Sequence, residues 1–176
     1  MIVKKIGVVC DLDGTLCDAR DRVTQLRNIE KPTDEDWKKF YEECVNDKLI
    51  VGVDMLLRTL VFNGYHIVFI TGRPTNYREE TLKWLEQNSK AFKRATSLEK
   101  EGTGCLLLMR PTLRKKDDKH LPDIVMKKEM YHNFIEPHYS VHLWIEDRHR
   151  VVDMVRNDLG LYCVQSSIES ISEGDF

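Results

Sequence analysis

Short apolar runs alternate with helix-patterned stretches along most of this chain. The runs fall at 2–10, 65–70, 105–109, 141–145 and 161–164. Between them, the spacing predicts helices over 34–47, 53–62, 75–88, 123–136 and 149–158. In the first of these, Asp34 is a candidate cap, and Trp37, Phe40, Tyr41 and Cys44 share one face. Strands that alternate with helices in this way imply an α/β fold, with a mostly parallel five-stranded sheet and helices on both faces. Sheets of this kind bind ligands outside the carboxyl ends of their strands. Residues just after each strand are therefore where chemistry should be sought.

Composition excludes several classes. The chain has 176 residues, 41% apolar and 32% charged, a globular balance rather than a disordered one. That length fits a single domain spanning 1–176. A net charge of −2 excludes a nucleic-acid binder that works by bulk charge, though not a local basic patch. No apolar run reaches the ~18 residues a membrane span needs. The N-terminal stretch runs straight into Asp11 and Asp13 with no small-residue cleavage site, so the expected location is the cytoplasm. Cys10, Cys17, Cys44, Cys105 and Cys163 are odd in number and form no C-x-x-C pair. Neither a disulfide framework nor a structural zinc site is expected.

Three strand ends carry chemistry. The first runs into Asp11-Leu12-Asp13-Gly14-Thr15-Leu16. If strand alternation continues, both carboxylates point the same way and need a cation or a proton between them. Asp-Gly is also an ordinary acidic turn, but the full string after an apolar strand favours function. The second runs into Thr71-Gly72-Arg73-Pro74, which suits a phosphate oxygen or a simple helix cap equally well. The fourth ends at Glu146-Asp147-Arg148, oxygen donors for a hard cation that would also suit a helix N-terminus. Lys127 and Lys128 lie on the helix before that strand. Periodicity does not say which of them points inward. A basic stretch with Arg110, Arg114, Lys115, Lys116 and Lys119 follows the third strand. It would track a nucleic-acid backbone or simply be solvated. No phosphate-cradling G-x-x-x-x-G-K-[ST] loop is present.

Together, DLDGTL, ITGR, a helical lysine and IEDR resemble the haloacid dehalogenase (HAD) superfamily of phosphotransferases. The stretch from Lys127 through Tyr131, Ile135, Pro137, His138, Tyr139, Val141, Leu143 and Ile145 is similar to the 3′-phosphatase domain of phage polynucleotide kinase/phosphatase. That register selects Lys127 over Lys128. Glu146 stands where the family usually has Asp, so Asp147 is the stronger metal ligand. The resemblance implies a HAD fold with a small helical cap at about 18–52, whose Trp37, Phe40 and Tyr41 would either contact a base or hold the cap together, with core packing the favoured reading. It further implies Mg²⁺ on Asp11, Asp147 and the Asp13 carbonyl. Asp11 would be the nucleophile and Asp13 the acid/base. Thr71, Gly72, Arg73 and Lys127 would hold the phosphate, with Glu146 and Arg148 in support. The expected substrate is a 3′-phosphate at a nucleic-acid end. No kinase half accompanies it, so a stand-alone phosphatase is expected. A nucleotidase for free mononucleotides is the alternative, and a catalytically silent phosphate-binding module is a third reading.

Overall fold

A computed structural model describes residues 3–98, 105–112 and 121–166. Strand β1 (Lys5–Asp11) leads into an insertion. The insertion holds helices α1 (Arg20–Arg27) and α2 (Asp34–Glu42) between two-residue strands β2 (Cys17–Asp18) and β3 (Lys48–Leu49), which pair antiparallel. Helix α3 (Val51–Phe62) returns the chain to β4 (His66–Pro74). Helices α4 (Arg78–Asn88) and α5 (Lys90–Ser97) precede β5 (Cys105–Arg110). Then come α6 (Asp123–Met130), β6 (Tyr139–Glu146), α7 (His149–Asp153) and β7 (Cys163–Gln165). The sheet order is β5-β4-β1-β6-β7, parallel throughout, as the alternation implies.

Alternation along the central strands builds two cores. Val8 and Cys10 of β1 join Ile67 and Phe69 of β4 on one face, against Leu57, Val61, Trp84 and Phe92. Val9 joins Val68 and Ile70 on the other, against Met126, Met130, Val151 and Val155. Strands buried on both faces explain why their sequences read as continuous apolar runs. The parity also sets chemistry. Asp11 continues the side of Val9 and so faces α6, the helix that carries Lys127.

Several expectations shift. The insertion, expected as a helical cap, also contains strands, but only two residues each, too short to leave an alternating pattern. Its α1 reads as RDRVTQLR, where Val23 and Leu26 are the apolar positions, a stripe too sparse to find by periodicity. The helix expected over 34–47 is α-helical to Glu42 and continues as a tighter turn over Glu43–Asn46. Its cap is Thr33 rather than Asp34. The Thr33 hydroxyl accepts from the Asp36 N–H at 3.3 Å, and the Asp36 carboxylate accepts from the Thr33 N–H at 2.8 Å. Such reciprocal caps contribute about 1 kcal/mol. No residue of α2 is buried, so Trp37, Phe40 and Tyr41 pack on one another rather than into a core. Strand β4 runs on to Pro74, which puts Thr71, Gly72 and Arg73 inside its end. The helix expected over 123–136 loosens after Met130 into a wide turn over Tyr131–Ile135. Among the described residues, no helix is long and apolar enough to cross a membrane.

Candidate active site

The tip of β1 places Asp11, 4% exposed, against a lysine that is itself 1% exposed. Lys127 Nζ donates to Asp11 Oδ1 and to Glu146 Oε2, each at 2.7 Å, and lies 3.3 Å from Asp123 Oδ2. Burying an ammonium costs several kcal/mol unless its protons are met. Here carboxylates from β1, α6 and β6 meet them and raise its pKa, outweighing the burial that would lower it. Lys128, one residue on, reaches the surface and pairs with Asp158 at 2.8 Å. The helix therefore turns Lys127, not Lys128, to the site.

Asp147 closes the cluster from the end of β6. Gly14 sits at φ +86° in the turn below it, and a Cβ there would collide with the Asp147 carboxylate. Glycine is thus required twice, by backbone and by space. Thr15 Oγ1 donates to Asp147 Oδ1 at 3.3 Å. Asp11, Glu146 and Asp147 offer carboxylate oxygens within 4.8 Å of one another. Burial, then the Glu146 charge, pushes Asp11 up to about 8 despite Lys127. Burial also pushes Glu146 to about 7, and burial with Asp11 pushes Asp147 to about 6. Burial outweighs the charges of Lys127 and Arg148 on all three carboxylates, which leaves unmet negative charge among oxygen donors alone. That donor set fits a hard divalent cation such as Mg²⁺. Glu146 is the least available donor. It is fully buried, with Oε2 on Lys127 and Oε1 accepting from the Arg148 N–H at 3.3 Å.

Asp13 belongs to a second cluster. β1 ends at Asp11, so strand alternation does not carry to Asp13 and the two side chains take different partners. Arg73 donates to Asp13 through Nε at 3.0 Å and Nη2 at 2.6 Å, and Arg22 Nη2 bonds the same carboxylate. Asp47 in turn accepts from Arg22 Nε at 2.9 Å and Arg73 Nη2 at 3.3 Å. Burial would raise Asp13, but the two guanidiniums outweigh it and hold the carboxyl well below its usual range.

The remaining expected residues divide. Thr71 is fully buried, its Oγ1 accepting from the Arg73 N–H at 3.2 Å. The Gly72 carbonyl accepts from Arg110 Nε at 3.1 Å. Arg73, expected on the phosphate, is turned to Asp13 and Asp47 instead, because nearby carboxylates claim a fully buried guanidinium. Arg110 points inward to Gly72, to the Leu121 carbonyl at 2.6 Å and to Asp123 at 3.2 Å. Arg148 reaches Asp123 at 3.4 Å. Arg114, Lys115, Lys116 and Lys119 lie outside the described residues. Sequence reasoning missed Arg22, Asp47 and Asp123. Arg22 is 3% exposed on a helix of mostly polar residues, and nothing local marks it as buried.

A parallel five-stranded sheet with an insertion after its first strand, and these carboxylates at its carboxyl edge, defines the HAD class of phosphatases. Family comparison narrows this. The model of the polynucleotide kinase PNKP phosphatase domain matches residues 6–176, and the chain belongs to that family. Among solved structures, it is similar to a chain of the Pnkp1/Rnl/Hen1 complex, at 30% identity and TM-score 0.64 over 100% of this chain. A second structure, of the Pnkp1/Rnl/Hen1 RNA repair complex, aligns with 92% of the chain at 30% identity and TM-score 0.63. The chain spans 49% and 42% of those two proteins. A class C acid phosphatase from Bacillus anthracis with tungstate bound shares the fold, at TM-score 0.58 and 16% identity, over 99% of this chain and 76% of its own.

Proposed function

We propose that this chain removes 3′-phosphates from polynucleotide ends through an aspartyl-phosphate on Asp11. The observation that carries the reading is the desolvated Asp11 carboxylate, held by Lys127 2.7 Å away beside Asp147. A buried carboxylate with a fixed cation is a positioned nucleophile. Mg²⁺ held by Asp11, Asp147 and the Asp13 carbonyl would offset phosphate charge and keep Asp11 ionised.

The chain's own groups do the rest. Asp11 attacks phosphorus, and Lys127 and Thr71 donate to the non-bridging oxygens. Asp13, kept ionised by Arg22 and Arg73, accepts a proton from the phosphate monoanion, whose second pKa is ~6. It passes that proton to the leaving oxygen. Asp13 then takes a proton from the water that attacks the aspartyl-phosphate. Glu146 fixes Lys127, and Asp123 draws Lys127, Arg110 and Arg148 together.

The test compares phosphate release from a 3′-phosphorylated oligonucleotide, the 5′-phosphorylated isomer and mononucleotides, each with and without Mg²⁺. The 3′-phosphorylated oligonucleotide should be hydrolysed fastest, and only with metal. Preference for mononucleotides would make the chain a nucleotidase. No release from any phosphomonoester would leave a binding module.

A further inference from the structure

Beside Asp13 stands a column of rings that the phosphoryl chemistry does not use. Trp37 stacks on Tyr41, with centroids 6.1 Å apart and planes at 28°. Tyr41 faces Tyr77 at 5.0 Å and 31°. Phe40 meets Trp37 and Tyr41 edge-on, at 5.7 Å and 5.2 Å. The column joins two parts of the fold: three rings come from α2, and Tyr77 from the turn that leaves β4.

Two further observations tie it to the catalytic groups. The Arg22 guanidinium, which bonds Asp13, lies 4.5 Å from the Phe40 ring centroid. The Tyr41 hydroxyl feels the charges of Arg110, Asp13, Arg22 and Arg148, although burial is the largest influence on it. The rings are only half-buried. A column that merely latched the insertion would gain most by complete burial. Partly open aromatic surface next to a phosphate site is instead suited to a flat ligand group.

We propose that the Trp37–Tyr41–Tyr77 column is the stacking subsite for the nucleobase whose sugar carries the phosphate. The proposal rests on the phosphatase reading and deepens it, since a sugar phosphate alone has no flat group to stack. The tyrosine and tryptophan faces carry no base-specific pattern of donors, so all bases should be accepted.

Tryptophan fluorescence tests this directly. Trp84 and Trp144 are fully buried, whereas Trp37 is half-exposed and reports on the column. Metal-free protein is titrated with adenosine 3′-monophosphate and, separately, with ribose 3-phosphate. Adenosine 3′-monophosphate should quench the emission and bind about ten-fold more tightly than the sugar phosphate. Tyr77→Leu and Tyr41→Leu should each bring that ratio within about two-fold, while Tyr77→Phe, which keeps the ring, should preserve it. A wild-type ratio near one, no quenching by either ligand, or a ratio that survives both leucine variants would overturn the subsite. Phosphate release from both ligands is followed in parallel with Mg²⁺ added. Release without a binding ratio removes the subsite alone. Absence of release from every phosphomonoester removes the phosphatase reading instead.

Discussion

Asp11 and Asp13 stand two residues apart, yet they sit in clusters with opposite charge balance. Around Asp11, Lys127 pairs with Asp11, Glu146 and Asp123, Asp147 stands beside them with only the more distant charges of Lys127 and Arg148, and the pKa values of Asp11, Glu146 and Asp147 are all raised. Around Asp13, two guanidiniums meet two carboxylates, and Asp13 is lowered. In the first cluster Lys127 and Arg148 do not offset the burial of the carboxylates, and the unmet charge suits an added cation. The second is complete without one. Asp13, Cys17 and Asp47 also stand close enough to share an ion, but Arg22 and Arg73 already occupy that role. Proximity of acids therefore does not define a metal site; the unmet charge does.

The sharpest way to break this comparison is at Asp11, the proposed nucleophile. Asp11→Asn should lower turnover of an aryl phosphate by at least about a thousand-fold while circular dichroism stays native. Retention of more than a few per cent of activity would move the nucleophile elsewhere. Next comes the shared cation. Lys127→Ala strands buried carboxylates and should destabilise the metal-free fold by about 3–5 kcal/mol, with activity falling alongside. Lys128→Ala removes only a surface pair and should cost under about 1 kcal/mol. Urea melts of both variants check the ranking, and the reverse order would mean that the helix presents the other lysine.

The balanced cluster should respond more mildly and in a different way. Asp47→Asn leaves two guanidiniums on Asp13 alone, which holds it ionised more strongly, so that it takes up the proton meant for the leaving oxygen less readily. We expect kcat for alkyl phosphates to fall about ten-fold and KM to change little. With an activated aryl phosphate, which departs without a proton, most of the defect should vanish. An equal loss on both substrates would assign Asp47 to stability alone.

Legibility in the sequence follows the range of the interaction. Strand runs, the glycine turn and the acidic pair at the end of β6 are local signals, and the chain displays them openly. The choice of Lys127 needed a register borrowed from a resembling family, because Lys127 and Lys128 have equally apolar neighbours. Arg22 and Asp47 stayed hidden because each is explained by the other across 25 residues of chain. Asp13 misled for a related reason. Alternation holds only while the strand lasts, and β1 stops at Asp11.

The smallest effect is the most discriminating between the clusters. Asp147, Glu146 and Asp11 have folded pKa values near 6, 7 and 8, against about 4 for unfolded carboxylates. Between pH 4 and 8 the metal-free folded state thus holds more protons than the unfolded chain, so its stability falls as pH rises through this window. A divalent cation held by Asp11 and Asp147 competes with the protons on those two groups. Stabilisation by Mg²⁺ should therefore grow from pH 6 to pH 8. A gain of about 1 kcal/mol corresponds to a Tm shift larger by about 2–4 °C at the higher pH. Between pH 6 and pH 8 Asp13 is ionised in both the folded and the unfolded chain and adds no slope. Differential scanning fluorimetry at both pH values, with and without Mg²⁺, measures the difference, and Asp147→Asn should remove it. An Mg²⁺ shift equal at both pH values, or larger at pH 6, would show that the metal is not held by the raised carboxylates.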